Sequence, residues 1–151
     1  MKFNKLVPEL SVSDIDKSIG FYTKILGFKT EYRREESKFI FLSLQGSQIM
    51  LEEINGHWET GKLEYPLGRG INFQIEVDDV NKIVESLKKH NYPMKIMPSD
   101  NWYRKGKKLL GCREFLVMDP DGYLLRFSQN LGTRTLAGSS KTEHPASKNQ
   151  S

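Results

Sequence analysis

The sequence predicts an α+β protein of two paired βαβββ modules, and three observations carry that expectation. Val12-Ser-Asp-Ile-Asp-Lys-Ser-Ile19 and Val77-Asp-Asp-Val-Asn-Lys-Ile-Val84 place apolar, acidic and lysine residues in one order, at a constant offset of 65 residues. Each copy closes a run of alternating apolar residues and opens a helical pattern. Each helical pattern is followed by short strand-like runs. A fixed-period match of this kind marks two copies of one supersecondary unit, too few for a solenoid. Two such modules form curved mixed sheets around a common cleft, where ligands tend to sit.

The first module covers residues 5–54. Its opening strand, near 5–12, turns Leu10 and Val12 toward the helix and leaves Val7, Glu9 and Ser11 on the cleft face, because side chains alternate along a strand. Ser13 or Asp14 caps a helix whose Ile15, Ile19, Tyr22 and Ile25 recur at helical spacing, and Gly27 ends it. Strands near 28–34, 38–44 and 48–54 complete the module; in the last, Ile49 and Leu51 alternate with cleft-facing Met50 and Glu52. Residues 55–69, with Gly56, Gly61, Pro66 and Gly68, read as the linker, and they carry Trp58 and Tyr65.

The second module covers residues 70–132. A strand near 70–77 sends Ile71, Phe73, Ile75 and Val77 toward its helix and Asn72 and Gln74 away from it. Asp78 or Asp79 caps the stripe Val80, Val84 and Leu87, and Pro93 stops the helix. Strands follow near 94–98, 112–118 and 123–128, with Trp102, Tyr103 and the basic run Arg104-Lys-Gly-Lys-Lys108 in a loop between the first two. In the last strand Tyr123, Leu125 and Phe127 alternate with Leu124, Arg126 and Ser128. Residues 133–151, rich in Ser, Thr, Lys, Gly and Asn, read as a disordered tail beyond a single domain over 1–132.

Composition narrows the function classes. A chain of 151 residues with 37% hydrophobic and 11% aromatic residues fits one globular domain with its own core. Its apolar runs are strand-length and Met1–Glu9 lacks the apolar core of a signal peptide, so a cytoplasmic protein without a membrane partner is expected. Cys112 is the only cysteine, which excludes an internal disulfide and a thiolate zinc site. Of the net charge of +4, the segment from Thr133 supplies a surplus of two (Arg134, Lys141 and Lys148 against Glu143), leaving a mildly basic body. His57, His90 and His144 fall in the linker, at a helix end and in the tail, so no pair has metal-ligand spacing. No nucleophile triad signature or phosphate loop occurs, and no nucleic-acid module accompanies the basic run, so nucleic acid is not an expected partner.

The run Ser13-Asp-Ile-Asp-Lys-Ser-Ile-Gly-Phe-Tyr-Thr-Lys-Ile-Leu-Gly-Phe28, the Gly70–Val80 strand and cap, and Asp119-Pro-Asp-Gly-Tyr-Leu-Leu-Arg126 together resemble the vicinal oxygen chelate superfamily of glyoxalases, bleomycin resistance proteins and dioxygenases. The resemblance spans residues 5 to about 132 and implies the glyoxalase-like fold and a homodimer. It also implies a divalent metal held in the enzymes by His, Gln or Glu at positions matching Val7, Glu52, Asn72 and Arg126 here. Only Glu52 is a good ligand, and Arg126 sets a permanent cation at the metal point. A cation there repels a metal and pairs instead with Glu52.

Among the branches, bleomycin resistance proteins resemble this chain most closely, in Leu124-Leu-Arg126 after the Asp-Pro-Asp-Gly turn and in Met50-Leu-Glu52. The resemblance implies sequestration of a planar, partly cationic antibiotic or aromatic metabolite in a dimer-interface cleft, with no cofactor and no catalytic residue. The residues expected to bind are Glu9, Met50, Glu52, Trp58, Glu59, Asn72, Trp102, Tyr103 and Arg126: aromatic rings stack on the ligand and carboxylates answer its charge. The alternative is a metal-dependent glyoxalase-like lyase, transferase or dioxygenase with an altered metal site at Glu52.

Overall fold

The structure, a computed structural model, describes residues 1–136. The expected βαβββ order appears twice. In the first module β1 (Glu9–Val12) leads to α1 (Ile15–Gly20), a wide π-helical turn (Phe21–Ile25), β2 (Lys29–Arg34), β3 (Phe39–Leu44) and β4 (Ser47–Glu53). In the second, β5 (Asn72–Glu76) leads to α2 (Val80–Lys89), β6 (Ile96–Lys105), β7 (Lys108–Met118) and β8 (Leu124–Thr135). The sheets have matching orders, β1-β4-β3-β2 and β5-β8-β7-β6, with the first strand of each module parallel to the last.

The repeated acidic residue does the same work in both copies. Asp14 and Asp79 sit in extended backbone and accept hydrogen bonds from Lys17 N (3.1 Å) and Asn81 N (2.9 Å), offsetting first-turn amides that have no helical partner. Each helix then lies on one face of its sheet. Leu10, Val12, Ile49, Leu51, Ile40 and Leu42 from the first sheet, and Ile75, Val77, Phe115, Val117, Leu125 and Phe127 from the second, join the helix residues in one continuous core.

The modules also lock each other's turns. Asp121 accepts from Ser13 N (3.1 Å), Tyr123 donates to Ser11 O (2.8 Å), and Tyr22 donates to Asp119 (2.8 Å). Asp119 further accepts from the amides of Asp121 and Tyr123, and burial pushes its carboxyl up to about 6. At Gly122, φ is +86° and an added Cβ would lie 2.5 Å from Pro66 Cβ, so the Asp-Pro-Asp-Gly turn closes against the linker only because glycine stands there.

Three strand expectations change. β1 begins at Glu9 rather than at residue 5. β6 and β7 form one long hairpin, so Trp102 and Tyr103 lie in a strand and only Gly106 and Lys107 turn the chain. β8 runs to Thr135 because Thr133, Arg134 and Thr135 pair with Leu110, Leu109 and Lys108; strand pairing outweighs the polar composition that read as tail. The rest of the expected tail, 137–151 with His144, lies outside the described residues.

Candidate functional site

Side-chain parity separates the buried helix-facing side of each sheet from the opposite, outer face, and the residues singled out for binding fall on the outer faces or in the linker, except Trp102, which alternates with outer-face Asn101 and Tyr103. On the first sheet, Glu9 pairs in register with Met50 and Ser11 with Glu52, so both carboxylates share one face. The Glu9 carboxyl lies against Glu52; burial first, then that neighbour, push it up to about 7, while Arg34 pulls the other way. Glu52 accepts from Asn55 Nδ2 (2.8 Å) and from the Trp58 indole (3.4 Å).

Beside these acids stands an aromatic cluster that strand composition alone concealed. Phe39 pairs with Glu52 and Phe41 with Met50 across β3 and β4, and both rings are buried although they face away from the helix. Tyr32 stacks on Phe41 with centroids 5.3 Å apart, Phe3 meets Phe41 edge-on, also at 5.3 Å, and the Arg34 guanidinium lies 3.9 Å over Phe39. The available signal was the unbroken run Phe39-Ile-Phe-Leu42: a strand apolar at every position is covered on both faces.

The second sheet differs. Glu114, 5% exposed, accepts from Tyr103 and from Asn101 Nδ2 (3.0 Å) and faces Arg126 Nη1 at 3.8 Å. Burial and then this carboxylate raise the Tyr103 phenol to about 12. Arg126 is thus paired with Glu114 on its own sheet rather than with Glu52, since β7 lies directly beside β8 while β4 belongs to the other sheet. Asn72 lies exposed on β5. Among the described residues no hydrogen bond or ion pair joins Glu9 or Glu52 to Asn72 or Arg126.

The two tryptophans part company as well. Trp102 is 9% exposed, lies on Gly111 so closely that an added Cβ would be 2.6 Å from its ring, and is capped by the Arg134 guanidinium at 3.8 Å. Its ring faces are taken, which corrects its expected role as an open stacking surface. Trp58 is 58% exposed and meets His57 edge-on at 4.4 Å. Glu59 turns back to accept from Gly56 N (3.1 Å), and that amide holds its carboxyl below the usual range, so it braces the linker turn.

The donor set does not fit a chelated metal. Val7 has no donor, Arg126 is engaged with Glu114, and among the described residues no group of three or more His, Cys, Asp or Glu side chains could hold a metal ion. What the first outer face offers instead is a pair of carboxylates, an arginine, an indole, and the exposed Tyr32 and Phe3 rings packed on the buried Phe41.

Residues 2–127 match the family model described as the Glyoxalase/Bleomycin resistance protein/Dioxygenase superfamily. The chain is 31% identical to a probable lactoylglutathione lyase of Vibrio parahaemolyticus over 129 residues, covering 80% of this chain and 86% of that protein. It is 29% identical to a bleomycin resistance protein of Geobacillus stearothermophilus over 139 residues, covering 83% and 96% respectively. In three dimensions it resembles TioX from Micromonospora sp. ML1, with a TM-score of 0.64 and 20% identity over 85% of this chain and all (100%) of the other, a likeness of fold. Among the described residues no helix is long and apolar enough to cross a membrane.

Proposed function

We propose that this chain, which belongs to the Glyoxalase/Bleomycin resistance protein/Dioxygenase superfamily, is a cytoplasmic, non-catalytic protein that sequesters a planar, partly cationic antibiotic or a similar aromatic metabolite. The observation that carries the reading is the outer face of the first sheet: Glu9 and Glu52 side by side, flanked by the exposed rings of Trp58, Tyr32 and Phe3, the last two packed on buried Phe41. Paired carboxylates whose mutual repulsion is relieved by a cation, next to aromatic surface, favour a cationic aromatic ligand over an anionic one. Met50 forms the floor between the acids. Glu59 contributes by holding the linker turn that carries Trp58.

The reading includes a homodimer. β1 and β5 are free sheet edges, and Phe3, Leu6 and Ile71 expose 57%, 86% and 50% of their surface. Open edges beside apolar side chains are protected by symmetric pairing. In such a pair the second sheet of one copy, with Asn72, Tyr103 and Arg126, closes over the first sheet of the other.

Isothermal titration of metal-free bleomycin into the protein tests the proposal. The expected result is saturable binding that Glu52→Gln and Trp58→Ala weaken while the variants keep the parent's unfolding temperature. The 31% identity to a probable lactoylglutathione lyase supplies the competing outcome: lactoylglutathione formation on addition of Ni²⁺ or Zn²⁺, with no binding of the drug, would replace sequestration by catalysis.

A further inference from the structure

Away from the acidic face of the first sheet, a cavity of about 470 Å³ opens where the two modules and the linker meet. Its volume falls within the range of small-molecule sites. Tyr92, Met94 and Met118 form its apolar interior, Tyr65 stands at its mouth, and Lys17 and Lys95 bring two cations from opposite modules.

Each part is fixed for its own reason. The Tyr92 ring stacks on Phe21 with centroids 4.6 Å apart, and its hydroxyl donates to Met118 O at 2.6 Å, so its position is set before any ligand arrives. Tyr65 is 64% exposed, unusual for a large ring beside a cavity. Neither the Lys17 nor the Lys95 ammonium enters an ion pair among the described residues. Asp119 also borders the cavity, but it is 2% exposed and its oxygens accept from Tyr22, Asp121 and Tyr123, so its charge is already matched by three donors. An anion is therefore favoured at the lysines and disfavoured above Asp119, which orients a ligand with its acid group outward and its flat body against Tyr92 and the methionines.

We propose that this cavity is a second ligand site, separate from the acidic outer face, and that it takes a planar aromatic carboxylate. The two sites thus have opposite charge preference, a cation on the sheet face and an anion between the modules.

The test uses the full chain labelled with ¹³C at its methionine methyls and titrated with 2-naphthoate. Met94 lies in this cavity and Met50 on the outer face of the first sheet, so the two methyls report the two sites independently. The proposal expects a saturable shift of Met94 with Met50 unmoved. It also expects roughly three- to tenfold weaker binding of neutral 2-naphthalenemethanol, or of 2-naphthoate to the Lys17→Gln/Lys95→Gln variant, the scale of two part-exposed charge contacts. A shift of Met50 instead of Met94, no saturation at millimolar concentration, or equal affinity for the acid and the alcohol would each overturn it. The comparison of acid with alcohol needs no variant, so it decides the matter even if the double substitution impairs folding.

Discussion

On the outer face of the first sheet two carboxylates, Glu9 and Glu52, lie side by side and Glu9 is driven up to about 7. On the matching face of the second, one carboxylate, Glu114, is buried beneath Tyr103, Asn101 and Arg126. The strand orders are the same, but β6, β7 and β8 are longer than β2, β3 and β4, and the added length carries Asn101 and Tyr103, so side chains and strand length both differ. The second sheet surrounds its buried carboxylate with a phenol, an amide and a guanidinium, although the buried Arg126 Nε has no hydrogen-bond partner among the described residues. The first leaves two carboxyl groups adjacent with Glu9 raised to about 7, and an incoming cation favours ionisation of both. On the proposed reading, a duplicated unit has one half that surrounds its buried carboxylate with partners and one half that awaits a ligand.

The largest expected effect breaks the second sheet. Trp102→Ala removes a ring packed between Gly111 and Arg134 and should lower the unfolding free energy by about 3–5 kcal/mol in urea titration. A variant of parental stability with weakened drug binding would return Trp102 to the ligand wall. Next comes Glu114→Ala, which strips Tyr103, Asn101 and Arg126 of their shared acceptor and should cost about 2–4 kcal/mol by the same measurement. Little or no loss would mean that this network is as incomplete as the acidic pair of the first sheet.

The poised half should respond to pH in the opposite sense from a paired carboxylate. Glu9 is raised from 4.5 to about 7 in the folded chain, so between those values the folded state holds a proton that the unfolded state has released. Its contribution is fully present below about 4.5, falls as pH rises through the window, and is level above about 7. Glu52→Gln removes the neighbouring charge and should shrink the stability difference between about pH 5 and about pH 8. An unchanged difference would leave burial of Glu9 as its cause, and persistence in Glu9→Gln as well would assign the pH dependence to another group, Asp119 first, whose buried carboxyl stands at about 6.

The smallest expected effect on stability is that of Trp58→Ala, within about 0.5 kcal/mol because the ring is largely exposed. The same change should weaken drug binding by about 1–3 kcal/mol in calorimetry. Lost stability with unchanged affinity would make Trp58 a linker anchor and move the site elsewhere on the sheet.

The contrast between the halves was only partly legible in the sequence. The repeat, both aspartate caps and the parity of β4 and β8 are local patterns that stand as expected, and that of β5 stands for Phe73, Ile75 and Val77 but not for Ile71, which precedes the strand and is 50% exposed. Trp102 and Tyr103 read as loop residues because the segment Asn101–Lys108 is polar and turn-like; its strand character comes from pairing with β7, which no local signal carries. Thr133–Thr135 read as tail for the same reason. The Glu114 network depends on the register that sets Ser99 opposite Glu114 and brings Asn101 and Tyr103 onto the same face, again a non-local fact. Arg34 and Phe39 escaped because their closeness to Glu9 and Glu52 arises across the four strands of the sheet.

The most direct test of sequestration follows the ligand itself. Chelator-treated protein is equilibrated by dialysis with metal-free bleomycin, and the drug recovered from the protein compartment is weighed by mass spectrometry. Sequestration at the acidic face predicts drug retained at about one molecule per chain, released by Glu52→Gln, and recovered with its mass unchanged. Retention that depends on added divalent metal, or recovered drug of altered mass, would contradict it.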